Sequence, residues 1–448
     1  MTGRTGRRTR LTKPENKAFD SYRACLDWIF SRHRFVMKPG LERVEYLLDS
    51  VGNPHRDFGI VHVAGTNGKG STAGMIASVL AEHGMRVGLY TSPHVVSYTE
   101  RMTVDGASIR PARILDIIER LKPAADEIAA TFFEITTAAA ALFFSEEAAA
   151  IVVAEVGLGG RLDATNAFDS VLSVITRIAV DHAGILGAEP AAIAAEKGGI
   201  IREAGVVVCG ASGQPADVIR GVAAARKARF IDVQDVLCVE RISVTPAGST
   251  FDATYRGRTL EGVGLSTLGR HQVANAATAI VAIHELGRQG IIRVSERGLL
   301  SGLIEARSLG RMQIIDRRPT VVADVAHNPD AAAALAKSLP EVFPFDRLFV
   351  VLGIMADKDI RGFMAPFRGL ADFMVLTRAA TDRAAAPDTL AAIADGLEIA
   401  HAVVPTPSAA IEKALSRARE GDLVLITGSH YTVGDVMASM GIGQTLEA

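Results

Sequence analysis

The stretch Ala64-Gly65-Thr66-Asn67-Gly68-Lys69-Gly70-Ser71-Thr72 decides how the chain is read. A short apolar run rich in β-branched residues, Ile60-Val61-His62-Val63, leads into it. Apolar residues at helical spacing follow (Met75, Ile76, Val79, Leu80), and Gly84 is placed to end that helix. Strand, glycine-rich loop and helix in this order make a cradle for phosphate. The glycines let backbone N–H groups turn inward, the helix N-terminus adds its positive dipole end, and Lys69 can reach terminal phosphates. Ser71 stands where the hydroxyl of such a loop ligates Mg²⁺. The loop departs from the usual G-x-x-x-x-G-K-[ST] form because Gly70 separates the lysine from the hydroxyl. The plainer alternative is a glycine-rich turn carrying an exposed lysine, and the flanking elements argue against it.

At 448 residues the chain exceeds what one hydrophobic core usually supports, so two domains are expected. A composition of 48% hydrophobic and 22% charged residues suits a soluble, well-cored, alanine-rich globular protein. A net charge of −2 and a pI near 6.6 speak against a protein that coats nucleic acid. Aromatic residues at 5% are too few for stacking platforms along a single strand. Cys25, Cys209 and Cys238 lie far apart, which excludes a zinc module or a disulfide framework and points to a reducing cytoplasm. The longest clean apolar run, 135–144, is about half of what a bilayer needs and reads as a buried helix. Arg4, Arg7, Arg8 and Arg10 look superficially like a transit peptide. They lack an apolar face, so a disordered basic tail is expected.

Working outward from the loop, residues 19–48 have a helical pattern broken near Lys38-Pro39-Gly40. Residues 86–90 read as a strand ending in Thr91-Ser92-Pro93-His94, and helices follow over 112–128 and 134–145. Residues 151–156 form a buried strand with Glu155 near its end. A second glycine-rich loop, Gly157-Leu158-Gly159-Gly160-Arg161-Leu162-Asp163-Ala164-Thr165-Asn166, comes next. A strand over 171–178 leads to Asp181-His182, and a helix over 190–203 carries Glu196 and Lys197. Short β pieces between 233 and 264 suggest a small antiparallel sheet, and helices return over 272–286 and 295–304. After a linker at 305–311 the βα alternation restarts, with strands at 320–325, 348–353, 373–377 and 423–427. Alternating strands and helices with polar residues at strand C-termini predict mostly parallel sheets with ligands at that edge. The expected division is a P-loop domain over 1–306 and a smaller Rossmann-like domain over 307–448.

Hard oxygen ligands at strand ends beside a triphosphate are what Mg²⁺ requires. Ser71, Ser92, Glu155 and His182 are the candidates. Singly, Ser92 could be a turn residue before Pro93, Glu155 a buried ion-pair partner and His182 a helix cap. At one edge of one sheet, together, they favour a two-metal site.

Ala64–Thr72 together with Tyr90-Thr91-Ser92-Pro93-His94, the 155–166 segment, Asp181-His182, Glu196-Lys197-Gly198-Gly199-Ile200 and Asp324-Val325-Ala326-His327-Asn328-Pro329 resemble the folylpolyglutamate synthase/dihydrofolate synthase family. This is the folate branch of the Mur-ligase superfamily, and the resemblance spans about residues 20 to 440. It implies that ATP phosphorylates a carboxylate and that the amine of L-glutamate then displaces phosphate. Such chemistry demands positioning and charge neutralisation more than a protein nucleophile. It implies that Asn67, Gly68, Lys69, Gly70 and Ser71, with Asn275, Arg311 and Asp324, bind ATP. It further implies that Ser71, Ser92, Glu155 and His182 bind magnesium, and that Lys197 is carbamylated and adds a ligand. A dihydropteroate or reduced-folate substrate would lie against Thr131, Phe132, Phe133 and Glu134, and Leu162, Asp163 and Ala164. Ser429-His430, after the last strand, would face the glutamate, with His327 opposite. Lys69, Lys197 and His327 are the expected catalytic residues. Arg311 could instead be a solvated linker charge, Asp324 and His327 could cap the helix starting at Pro329, and the phenylalanines could be core.

Asp357-Lys358-Asp359 superficially suggests a guanine-reading element, but Ala356 stands where an asparagine is needed; it reads as a cleft-facing charged loop. Two other functions compete: a ligase acting on a cell-wall precursor, and a P-loop switch without ligase activity. Asp163-Ala164-Thr165-Asn166 and the Lys69–Ser71 spacing favour the folate branch over the first. A switch would need neither His327, Arg311 nor a second α/β domain. The expected partners are small molecules alone, with no nucleic acid and no membrane, and the chain is expected to be monomeric. Whether it adds the first glutamate, extends the chain or does both stays open.

Overall fold

The computed structural model describes residues 18–32, 40–181, 184, 187 and 189–443. The basic tail, the break at Lys38-Pro39 and His182 lie outside the described residues. The first sheet has the order β4-β3-β2-β5-β1-β6-β7-β8. Its strands are β1 (Gly59–Ala64), β2 (Val87–Tyr90), β3 (Met102–Val104), β4 (Ala107–Ser108), β5 (Ile151–Glu155), β6 (Leu172–Ile175), β7 (Val206–Cys209) and β8 (Arg229–Asp232). All are parallel except the β3–β4 hairpin, which closes one edge. The register sets Val63 beside Glu155, so the phosphate loop and the acid leave the sheet at the same level.

The Lys69–Glu82 helix buries Met75, Ile76, Val79 and Leu80 on one face of this sheet. Each such side chain contributes roughly 1.5–3 kcal/mol by leaving water. The Pro111–Glu127 and Phe132–Glu146 helices cover the other face with Ile117, Leu121, Ile135 and Phe144. A three-stranded antiparallel sheet follows: β9 (Leu237–Thr245), β10 (Gly248–Tyr255) and β11 (Arg258–Leu265).

The second large sheet has the order β12-β13-β17-β14-β15-β16. It comprises β12 (Gln313–Arg317), β13 (Thr320–Ala323), β14 (Leu348–Leu352), β15 (Phe373–Leu376), β16 (His401–Val403) and β17 (Leu423–Thr427), antiparallel only at β12. This is the mostly parallel α/β architecture expected. Among the described residues no helix is long and apolar enough to cross a membrane. The three cysteines are free.

Two boundaries differ from expectation for physical reasons. The strand expected over 171–178 stops at Ile175, because the next residues leave the sheet to pin the phosphate loop: Thr66 and Asn67 donate their N–H groups to the Arg177 carbonyl at 2.8 and 3.3 Å. The helix expected over 190–203 stops at Gly198, where two successive glycines weaken it, and Gly199, lacking a Cβ, lets the Arg161 backbone pack against its end.

Candidate active site

The phosphate loop opens into a cavity at the C-terminal ends of β1 and β5, walled opposite by residues that follow β13 and β17. Gly68 N-caps the following helix at φ 88°, a left-handed conformation that glycine adopts without strain. A Cβ there would run into Asn275 Oδ1, so Asn275 packs directly on the loop; its Nδ2 donates to Gln272 Oε1 at 3.0 Å. Lys69 Nζ donates to the Thr66 carbonyl at 3.1 Å. Burial lowers its pKa, with Glu155 and Asp181 pulling the other way. Asn67 lines the cavity and also ties the loop to the segment after β13. Its Nδ2 donates to Asn328 Oδ1 at 3.2 Å and Asp330 Oδ2 at 2.8 Å, and Asn328 Nδ2 donates back to Asn67 Oδ1 at 3.0 Å.

Glu155, 5% exposed, accepts the Ser92 N–H at 3.0 Å; burial raises its carboxyl pKa while Lys69 opposes the shift. The Ser92 hydroxyl is buried without a partner among the described residues, and Ser71 is also buried. A Cβ on Gly70 would lie 3.3 Å from Glu155 Oε2, so the extra glycine lets the carboxylate stand against the loop. No group of three His, Cys, Asp or Glu side chains gathers among the described residues. One buried carboxylate, an orphaned hydroxyl and room for phosphate oxygens still fit Mg²⁺, which takes few protein ligands and keeps waters. Lys197 is 5% exposed and makes no ion pair among the described residues; burial first, then Lys69, brings its pKa down to about 7.

Asp181 is the junction between the two sheets. Lys358 Nζ pairs with its Oδ1 at 2.5 Å, Asn328 Nδ2 donates to Oδ2 at 3.1 Å, and His327 Nε2 stands 3.4 Å from Oδ2. His327 Nδ1 is 2.9 Å from the Val325 carbonyl, which can only accept, so Nδ1 carries the hydrogen. Lys358 went unassigned in the sequence, yet its side chain is only 6% exposed. The one available signal was a lysine between two acids just past a strand end; Asp359 caps the next helix by accepting the Gly362 N–H at 2.8 Å. Asp324 does not cap the Pro329–Val342 helix; Asn328 does, accepting the Ala331 N–H. The Asp324 carboxylate instead accepts the Met312 and Ala326 N–H groups, each at 2.8 Å, and so sets the chain bearing Arg311. Arg311 lines the cavity together with His430.

The residues assigned to the pteridine fall into two groups. Thr131 and Glu134 form a capping box, and Arg43 grips Glu134 through two hydrogen bonds at 2.6 and 3.1 Å. Phe132 is buried and stacks on Phe30 at 5.6 Å. These three side chains thus also hold the start of the helix in place. Phe133 is half-buried and stands over Gly157, where a Cβ would strike its ring. Leu162 is half-buried, Ala164 buried, and Asp163 accepts the Leu158 and Thr165 N–H groups at 2.8 and 3.0 Å. Ser429 caps the last helix and its hydroxyl bonds Thr432, so His430, one residue on, is the group that reaches the cavity. Arg101, which the sequence reading passed over, is 5% exposed, lies over the Phe132 ring and donates to His94 Nδ1 at 2.8 Å.

Family models match the chain in two places: a Mur ligase middle domain over residues 63–283 and a Mur ligase glutamate ligase domain over residues 310–430. The Bacillus subtilis dihydrofolate synthase/folylpolyglutamate synthase is 34% identical over 428 residues, covering 93% of this chain and 99% of that protein. The Escherichia coli FolC structure in complex with DHPP and ADP superposes with a TM-score of 0.85 at 32% identity, covering 95% of this chain and 99% of that one. The bifunctional folylpolyglutamate synthase/dihydrofolate synthase from Yersinia pestis, complexed with AMPPNP and Mn ion, gives a TM-score of 0.85 at 31% identity, covering 96% and 100%. Matched along nearly its whole length, and carrying a phosphate loop that faces a second α/β sheet across a shared cavity, the chain belongs to the dihydrofolate synthase/folylpolyglutamate synthase family of ATP-dependent ligases.

Proposed function

We propose that this enzyme joins L-glutamate to dihydropteroate, to reduced folates or to both, with ATP converted to ADP and phosphate by way of an acyl phosphate. The observation that carries the reading is the cavity itself, in which the phosphate loop faces Arg311, His327 and His430. Residues 1–306 and 307–448 act as the two domains, and the enzyme works as a monomer.

Inward-facing N–H groups of the loop and Lys69 hold the triphosphate, with Asn275 buttressing Gly68 and Arg311 reaching from the linker. A carboxylate oxygen of the pteroyl substrate attacks the terminal phosphorus and ADP departs. The glutamate amine then attacks the acyl carbon, phosphate departs, and the amine loses a proton. His327 Nε2, whose ring is fixed by the Val325 carbonyl, takes that proton in the cavity. Cationic Arg101 and Arg311 draw substrate carboxylates in, and the low local dielectric strengthens the attraction, while burial and those neighbouring charges keep His430 neutral as a hydrogen-bonding group. When bound, a divalent cation neutralises the triphosphate charge; Ser71, Ser92 and Glu155 would hold it, with His182 added on its place in the sequence just past the end of β6. We extend this to two cation sites, the second completed by a carbamate on Lys197. Burial supports that modification, since carbamylation needs the neutral amine. Phe133, Leu162, Asp163 and Ala164 border the pteridine.

Mass spectrometry of products tests the reading, with dihydropteroate and tetrahydrofolate offered separately alongside ATP and glutamate. A mass gain of one glutamyl unit on either, with matching ADP, is expected. ADP release that does not depend on glutamate would sink it.

A further inference from the structure

We infer that His62 is a positioning residue for the pteridine end of the substrate, acting from inside β1 through Thr165 and Asp163 on the glycine loop beneath Phe133. The inference rests on the reading of Phe133 as the pteridine wall. His62 is fully buried, and its Nε2 lies 2.7 Å from Thr165 Oγ1. That hydroxyl donates its single hydrogen to Asp163 Oδ1 at 2.5 Å. It can therefore only accept from the imidazole, which fixes the Nε2–H tautomer. Burial and Arg202 hold the imidazolium pKa down to about 3, so the ring stays neutral and keeps that tautomer.

The Asp163 carboxylate passes the constraint on. Its Oδ2 accepts the Leu158 N–H at 2.8 Å, next to Gly157, on which the Phe133 ring stands. A purely structural residue would serve better as leucine. The histidine leaves its Nδ1 buried with no partner among the described residues, an arrangement that lowers stability. What it adds is the one donor that orients Thr165. Since β1 also runs into the phosphate loop, ATP binding is the internal control.

The test compares His62→Leu and Thr165→Val with His62→Gln and Thr165→Ser in the full-length enzyme. The KM for dihydropteroate, the KM for ATP, and dihydropteroate binding with ADP present are measured for each. Glutamine places an N–H near the Nε2 position, and serine keeps the hydroxyl. Losing the neutral bond to Thr165 should raise the dihydropteroate KM and Kd about five-fold in the Leu variant, and losing the bond to the Asp163 carboxylate about ten-fold in the Val variant, with the ATP KM changed less than about two-fold in both. The Gln and Ser variants should stay near wild type. Equal rises in both KM values, or a lowered Tm with unchanged dihydropteroate binding, would overturn the inference. Should His62→Leu fail to fold, the Val–Ser pair at 165 decides. Phe133→Ala separates the two claims: if it leaves dihydropteroate binding intact, the wall itself is misassigned. If it weakens binding while Thr165→Val does not, only the role of His62 falls.

Discussion

Replacing Lys358 with methionine should cripple turnover without unfolding either half of the protein. Lys358 and Asp181 are 6% and 7% exposed and come from opposite sides of the cavity. Methionine keeps most of the side-chain volume and removes the ammonium that pairs with Asp181, which stays buried beside Asn328 and His327. Breaking a buried pair from one side costs about 3–5 kcal/mol, because the remaining carboxylate stays desolvated. When the halves separate, both groups return to water, so the whole cost falls on the closed arrangement. At about 1.4 kcal/mol per tenfold, the closed-to-open ratio should drop by roughly two to three and a half orders of magnitude. The assay is steady-state ADP release with saturating substrates, run beside small-angle scattering and a thermal melt. Reduced kcat/KM, a larger radius of gyration and a nearly unchanged Tm are expected. The double variant with Asp181→Asn should recover part of the compactness, because no naked charge is left behind. Turnover within two-fold of wild type at an unchanged radius would refute the argument that this pair holds the halves together.

Lys69→Ala should lower kcat by about 10²-fold or more with the fold intact, as loss of a transition-state charge contact does, and near-normal activity would make the loop structural. Gly157→Ala should raise the dihydropteroate KM with little change in the ATP KM, since the new methyl pushes Phe133 out of place; kinetics with each substrate varied in turn check this. His62 also shapes acid stability. Its folded pKa of about 3 lies below the ordinary 6.5, so the unfolded chain binds the extra proton between those values. Wild-type stability should therefore fall as pH drops from about 6.5 towards 3. In a urea titration at pH 4 and 7, His62→Gln should lose less stability between the two than wild type.

The phosphate loop was legible because local rules fix it: a strand, positive-φ glycines and a helix lie within a few residues of one another. Glu155 was legible for the same reason, at the end of an apolar strand beside a second glycine loop. The roles of Glu134 and Phe132 were not. Their partners, Arg43 and Phe30, lie about ninety to a hundred residues away, and only packing brings them in. Lys358 and Arg101 stayed hidden for a related cause. A lysine or arginine in a loop is usually solvated, and nothing local shows that Asp181 or the Phe132 ring will cover it. β8 was missed because Arg229-Phe230-Ile231-Asp232 is a short run at a sheet edge, where one exposed end blurs the apolar pattern. Asp324 was expected to cap a helix or meet a ligand, and one of its two backbone hydrogen bonds comes from Met312, twelve residues earlier, the other from Ala326.

That last pair of bonds alters how the joint between the halves should be regarded. The Gly310 carbonyl accepts the Val325 N–H at 2.8 Å, Gly310 N–H reaches Gln313 Oε1 at 2.9 Å, and Arg311 lines the cavity. The joint is thus a piece of the catalytic wall, anchored to the second sheet, rather than a tether of adjustable length. Recombination between relatives would respect this. A chimaera joined upstream of residue 305 carries the anchor and its arginine along with the sheet that fixes them. One joined between 311 and 324 would set a foreign Arg311 on a mismatched Asp324, and an insertion at 306–310 would lengthen the one segment in which length and active-site geometry are the same variable.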